Sequence, residues 1–186
     1  MKKSFGLILI VLSLLVAQST PAFALGFDVS LAASYSRSNF GPKSYSWTRR
    51  YSMGIGYMLL PVTELEFSYQ DVAYRNKIAN TEDTLFQDKI YSLNIVQYLA
   101  SRKFPVQPFL KLGFGQLNRD ASGTYAGGYR PVARYDALTA IIGAGLKIFL
   151  TRSFSVNGEA TSYLTGGRIS SWKDNVGANL GTSFYF

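Results

Sequence analysis

Polar and apolar residues alternate one by one through eight separate stretches of this chain, and no other feature narrows the fold as much. Successive side chains of an extended strand point to opposite faces, so each stretch predicts a strand with one apolar and one polar face. The stretches are Gly26 to Phe40, Thr48 to Leu60, Glu64 to Tyr74, a fourth around Tyr91 to Val96, a fifth around Leu110 to Gly115, a sixth around Leu138 to Ile148, Phe154 to Thr165, and Trp172 to Phe186. In the sixth, Leu138, Ala140, Ile142, Ala144, Leu146 and Ile148 oppose Thr139, Gly143, Gly145 and Lys147. In the last, Val176, Ala178, Leu180, Phe184 and Phe186 oppose Asn175, Gly177, Asn179, Gly181 and Ser183. The third is irregular at its far end, which predicts a bulge near Asp71.

The linkers alternate in length. Pro61 to Thr63, Ser101 to Pro105 and Thr151 to Ser153 are short, whereas Gly41 to Trp47, Arg75 to Gln87, Asn118 to Ala133 and Gly166 to Ser171 are longer. Consecutive strands joined this way predict an all-β fold, an eight-stranded antiparallel up-and-down barrel.

The first residues read as an export signal. Lys2 and Lys3 precede the apolar run Leu7 to Val16, and Ala22-Phe23-Ala24 supplies a small-x-small cleavage site. Residues 1–24 are therefore expected to be removed, leaving 25–186 as one barrel domain. The apolar run is shorter than the roughly 20 residues a membrane helix needs. The chain contains no cysteine, which excludes a lipoprotein anchor and any disulfide framework.

Loss of Lys2 and Lys3 lowers the formal charge of +8 by two, since no acid precedes Asp28. The remaining Lys and Arg are scattered over loops and strand ends and form no stripe, so no nucleic-acid partner is expected. A positive balance suits attraction to anionic lipids and lipopolysaccharide.

Alternation alone leaves two barrels open, a transmembrane barrel with the apolar face outward and a secreted, soluble ligand-binding barrel of the lipocalin kind. The composition of the polar face favours the first. It is mostly Gly, Ser, Asn and Thr, small residues that suit a crowded lumen, with few of the Lys and Glu a solvent face carries. Aromatic residues make up 15% of the chain, and many fall near strand ends, as interfacial girdles require. The candidates are Tyr35, Tyr51, Tyr69 and Trp172 for one girdle, and Phe27, Tyr57, Phe154, Phe184 and Phe186 for the other.

Asn179, Gly181, Phe184 and Phe186 together resemble the C-terminal signal by which bacterial outer-membrane β-barrels are recognised for assembly. The pattern is a polar residue, a glycine two on, then two hydrophobic residues, the second ending the chain. This resemblance implies a monomer in the outer membrane of a Gram-negative cell, both termini periplasmic, handed to the barrel assembly machinery through its last strand. In such barrels the short turns are periplasmic and the long loops extracellular.

With the Gly/Ser face inward, Arg50, Glu66, Lys111, Lys147 and Glu159 all point into the lumen. Ions in a narrow, partly dry lumen are costly unless paired. Lys147 and Glu159 lie on adjacent strands joined by a short turn and are expected to pair. The arrangement is similar to the charged lumenal network of the OmpA and OmpX barrels, which fills the interior. Glu64 shares a face with Glu66 and suits a lumenal salt bridge better than acid/base chemistry.

The chain has no histidine, so the Ser/His/acid apparatus of outer-membrane acyl-transfer enzymes and the Asp/His apparatus of outer-membrane proteases cannot be built. No cofactor and no metal site are expected. The sequence points to a non-enzymatic barrel with a largely closed lumen, serving envelope integrity or surface interaction through its loops. A narrow conduit for small hydrophobic molecules, as proposed for the OmpW family, is the alternative.

Overall fold

The computed structural model describes residues 26–79, 81–100, 104–125, 128–165 and 176–186, the side chains of 125–133 and 165 excepted. The expected signal peptide, Trp172 and the whole of the last long linker lie outside these residues. Eight strands follow in order: β1 Phe27–Gly41, β2 Ser44–Leu60, β3 Thr63–Ile78, β4 Glu82–Tyr98, β5 Val106–Tyr125, β6 Gly128–Phe149, β7 Phe154–Thr165 and β8 Val176–Tyr185. Each pairs antiparallel with its neighbours, and β1 closes on β8 from Asp28 opposite Tyr185 to Ala33 opposite Leu180.

One rim carries the ends of the barrel chain and the short turns. Phe186 N–H donates to the Phe27 carbonyl (3.0 Å), Tyr98 N–H to Val62 (2.8 Å), Phe149 N–H to Pro105 (2.8 Å) and Tyr185 N–H to Ser153 (2.9 Å). These bonds tie each turn to the strand beside it, leaving few backbone groups unpaired at this terminal rim. The opposite rim carries the hairpins.

The hairpins differ from the sequence expectation. β2 begins at Ser44, β3 runs on to Ile78, β4 starts at Glu82, and β5 and β6 extend to Tyr125 and Gly128, so most of three expected long linkers is strand. The reason is physical: alternation marks only the part of a strand whose two faces meet different media. Beyond the apolar band the outward face turns polar while the inward face carries Val72, Tyr74 and Phe86, so the alternation loses its sense and backbone pairing continues without its sequence signal. The bulge expected near Asp71 is absent, since the register runs unbroken through Tyr51, Asp71 and Lys89. Irregularities fall instead at Asn39/Gly41, Met58/Leu60 and Arg119/Ala121, beside turns or in a hairpin.

The barrel is inverted relative to a water-soluble protein. Leu138 is 78% exposed and Leu180 73%, while Glu64 is 2% and Asn94 1%. Met53, Ile55, Phe67, Ile95, Leu112, Phe114 and Ile142 extend the outward apolar band around the wall. Only hydrocarbon can cover such a band without a large hydration cost, which identifies a transmembrane barrel and removes the lipocalin alternative. At its hairpin edge stand Tyr35, Tyr51 and Tyr69, joined by Tyr91, whose ring lies 5.1 Å from Tyr69. At its terminal edge Phe27 packs on Tyr57 (4.8 Å) and Phe154 on Phe184 (5.0 Å).

Candidate functional site

Among the described residues, the lumen gathers the buried charged side chains, and it is organised in tiers. The tier at the terminal rim centres on Lys147 of β6. Its Nζ lies 2.6 Å from the Tyr98 hydroxyl, 3.4 Å from Asp28 Oδ2 and 3.9 Å from Glu64 Oε2. The Tyr98 hydroxyl in turn donates to Glu64 Oε2 at 2.6 Å. The Tyr98 and Tyr185 rings flank the ammonium at 5.0 and 5.1 Å, adding cation-π stabilisation. Asp28 and Glu64 meet here because Gly56 separates them: a Cβ at Gly56 would collide with both carboxylates. Val96, Tyr98 and Phe109, with Met58 and Val62, pack an apolar plug beside this tier.

The middle tier centres on Lys111 of β5. Its Nζ lies 2.6 Å from Glu159 Oε2 and 3.1 Å from Glu66 Oε1. Asn94 Nδ2 also donates to Glu66 (3.0 Å) and to Ser68 (2.9 Å), and the Thr161 hydroxyl donates to Glu159. Lys111 reaches past a whole strand to Glu159, since the residue between, Gly143, has no side chain. A Cβ there would sit 3.4 Å from both Lys111 Cβ and Thr161 Oγ1. At Gly113, Gly115 and Gly145 a Cβ would instead meet Asn94 Oδ1, the Tyr91 carbonyl and the Gly158 carbonyl, the close packing that small lumenal residues suit.

Of the five lumenal charges expected from the sequence, four join these clusters, and the expected Lys147–Glu159 pair does not form. The register puts Lys147 opposite Asn157 and Glu159 opposite Gly145, so the two are offset along the barrel axis. Lys147 turns across the narrow lumen to β1 and β3, while Glu159 is held by Lys111 from β5. Reasoning from adjacent strands misses partners across the lumen, which is why Asp28 and Tyr98 were not singled out. Asp28 was legible as an acid on the polar face of its strand; Tyr98 lay where the alternation fades.

Arg50, the fifth, stands apart in the upper tier. Beside it Arg119 holds Asp88 in a two-pronged pair, Nε to Oδ1 and Nη2 to Oδ2, both 2.7 Å. Arg50 is buried, and among the described residues no carboxylate lies within ion-pair distance of it. Its guanidinium rests over Gly177 of β8, where any side chain would overlap it. A cavity of about 520 Å³ opens above, toward the hairpins.

The C-terminal motif has a packing basis. Asn179 faces inward and accepts from Ser34 Oγ (3.1 Å) across the closing seam. A Cβ on Gly181 would meet Leu31 O and Asn157 Oδ1 at 2.5 Å. Phe184 stacks outward on Phe154, and Phe186 is 67% exposed at the rim.

Beyond the apolar band the wall carries cations beside aromatic rings and acids. Arg37 lies over the Tyr45 ring (4.8 Å) and Arg49 over Tyr51 (5.2 Å). In the β3–β4 hairpin Arg75 grips Asp83 through two 2.7 Å hydrogen bonds, with Lys77 at 3.4 Å. These bonds, the Arg75 hydrogen bond first, hold the Asp83 carboxyl below its ordinary range. Among the described residues no cluster of acids suits a metal ion.

No curated protein sequence matches the chain significantly. Among solved structures, the N-terminal β-barrel domain of Pseudomonas aeruginosa OprF superposes with a TM-score of 0.56 at 20% identity, covering 86% of this chain and 97% of that one. Ail, the attachment invasion locus protein of Yersinia pestis, in complex with the heparin analogue sucrose octasulfate, gives 0.52 at 16%, covering 86% and 96%. Neisserial surface protein A gives 0.49 at 18%, covering 89% and 100%. At these identities the likeness is one of fold. The sequence itself, over residues 7–184, matches the family described as outer membrane protein beta-barrel domain, and with an inverted eight-stranded barrel under that match the chain belongs to this outer-membrane family.

Proposed function

We propose that this protein is a non-enzymatic barrel whose lumen is closed to general solutes, and that it serves the outer membrane by strengthening it and by presenting its hairpins to the surroundings. The observation that carries this reading is the middle tier. Lys111, Glu66, Glu159 and Asn94 cross the lumen as mutually bonded side chains around a void of only about 50 Å³, and a nearly filled, paired lumen is a structural element before it is a path. The hydrophobic-conduit alternative needs an apolar lumen, whereas this tier is polar.

In this reading both termini face the periplasm and the hairpins face outward. The rings of Tyr35, Tyr51, Tyr69 and Tyr91 mark one interface. The basic residues Arg37 and Arg49 just beyond them suit the phosphates of lipopolysaccharide. Ail, a barrel of like fold, is seen in complex with a heparin analogue, which favours the same idea of a polyanionic partner. The C-terminal strand serves the assembly machinery.

The test has two arms in cells. A cysteine placed at Lys43, in the β1–β2 hairpin, is expected to react with a membrane-impermeant maleimide on intact cells, and one at Leu150 only after lysis. Loss of the protein is expected to raise sensitivity to detergent without changing uptake of small hydrophilic dyes. The opposite labelling pattern overturns the orientation, and dye uptake that falls on deletion overturns the closed lumen.

A further inference from the structure

We propose that the cavity at the hairpin rim is a binding site for a hydrophobic monocarboxylate, with Arg50 as its anchor. This goes beyond the structural role, which needs no ligand.

The argument begins with charge. Arg50 is 8% exposed, and among the described residues its Nε has no hydrogen-bond partner. Both acids nearest in the lumen are already engaged, Asp88 by Arg119 and Glu159 by Lys111. Among the described residues, one guanidinium without a counter-charge therefore remains at the base of the cavity. A buried cation kept without a counter-charge costs folding free energy, so the fold carries an expense that its own interior does not offset.

Shape and lining supply the rest of the ligand. The volume of about 520 Å³ falls in the range of small-molecule sites. Val72, Ile90 and Leu117 form an apolar wall beside the guanidinium, and Tyr74 and Phe86 stand above them with ring centroids 6.1 Å apart. A planar guanidinium pairs a carboxylate through two parallel hydrogen bonds, and the wall takes the hydrocarbon or aromatic body. Gly177 keeps the arginine free to lie at the base, because any larger residue would displace it. The Lys111 cluster lies deeper in the barrel, so the cavity ends blind and the ligand leaves by the way it came.

The probe is 3-phenylpropionate, titrated into the folded protein in lipid nanodiscs, with the Arg50 Nε–Hε cross-peak as the readout and empty nanodiscs as the blank. Saturable binding is expected. The neutral analogue 3-phenylpropanol and the short anion acetate are each expected to bind at least about tenfold more weakly, since each lacks half of the recognition. Arg50→Gln is expected to weaken phenylpropionate binding by about tenfold or more, read from the probe's own carboxylate signal. Leu117→Asp leaves Arg50 in place but supplies an internal counter-charge, and it is expected to abolish binding even where Arg50→Gln folds poorly. Binding no stronger than to empty nanodiscs, equal binding of phenylpropanol or acetate, or unchanged affinity in Leu117→Asp overturns the proposal. Bilayer conductance is independent of all these outcomes, so failure here leaves the closed-lumen reading standing on its own test.

Discussion

Replacing Lys111 by methionine keeps most of the side-chain volume and removes only the charge. Glu66 and Glu159, whose side chains are 9% and 16% exposed, then face one another with no cation between them. Removing one partner of a buried ion pair costs about 3–5 kcal/mol. Counting instead two lost charge-assisted hydrogen bonds at about 1.5–3 kcal/mol each gives about 3–6 kcal/mol. The two routes agree because the loss is dominated by carboxylates that keep only Asn94 and Thr161 as partners. Adding Glu66→Gln and Glu159→Gln to Lys111→Met removes the stranded charges, so the triple variant is expected to be more stable than the single one. The assay is urea unfolding in lipid vesicles, followed by tryptophan fluorescence and by mobility of the unheated protein on gels. A loss below about 1 kcal/mol for Lys111→Met, or a triple variant at the sum of its parts, would refute the claim that these three residues form one dry cluster.

Other tests bear on separate parts of the structure. Lys147→Met and Glu159→Gln are expected to be additive within about 0.5 kcal/mol, since they sit in different tiers, whereas Lys147→Met and Glu64→Gln are expected to couple; double-mutant cycles distinguish the two. Asp83 has a depressed carboxyl pKa, so its pairing with Arg75 is present above the ordinary carboxylate range and lost as pH falls through the folded value. As the pair is largely solvent-exposed, hydrogen exchange at the β3–β4 hairpin tip is expected to quicken by no more than about 1 kcal/mol of local stability on acidification, and Asp83→Asn is expected to remove that dependence. Deleting Phe186, which is 67% exposed, is expected to lower the amount of protein in the outer membrane while leaving refolding into detergent almost unchanged. Equal loss in both assays would assign Phe186 to packing.

The membrane-embedded part of the barrel was legible in the sequence because lipid and lumen impose opposite chemistry on alternate residues. Leu138 to Ile148 shows this most clearly, and its outward and inward faces in the structure are those the sequence assigned. Beyond Tyr69 and Tyr91 the outward face is no longer apolar, and β3 and β4 continue to Ile78 and Glu82 through residues that read as a loop. The lumenal charges were legible as inward-pointing, but their partners were not. Pairing in a closed barrel depends on which strands face each other across the lumen and on which glycines leave clearance between them. Gly56 leaves the room in which Asp28 and Glu64 share one tier, and Lys111 reaches Glu159 past β6; neither contact follows from neighbouring strands. Arg50 was grouped with the other charges because nothing in its own strand shows that the nearby acids are already taken.

Planar-bilayer recording of the folded, unmodified protein tests the closed lumen most directly. A cross-section filled by Lys111, Glu66, Glu159 and Asn94 predicts no steady conductance above the bare bilayer, with open events only when residues of this tier are cut back to alanine. A large, steady conductance in the unmodified protein, unchanged by Lys111→Ala, would contradict the account.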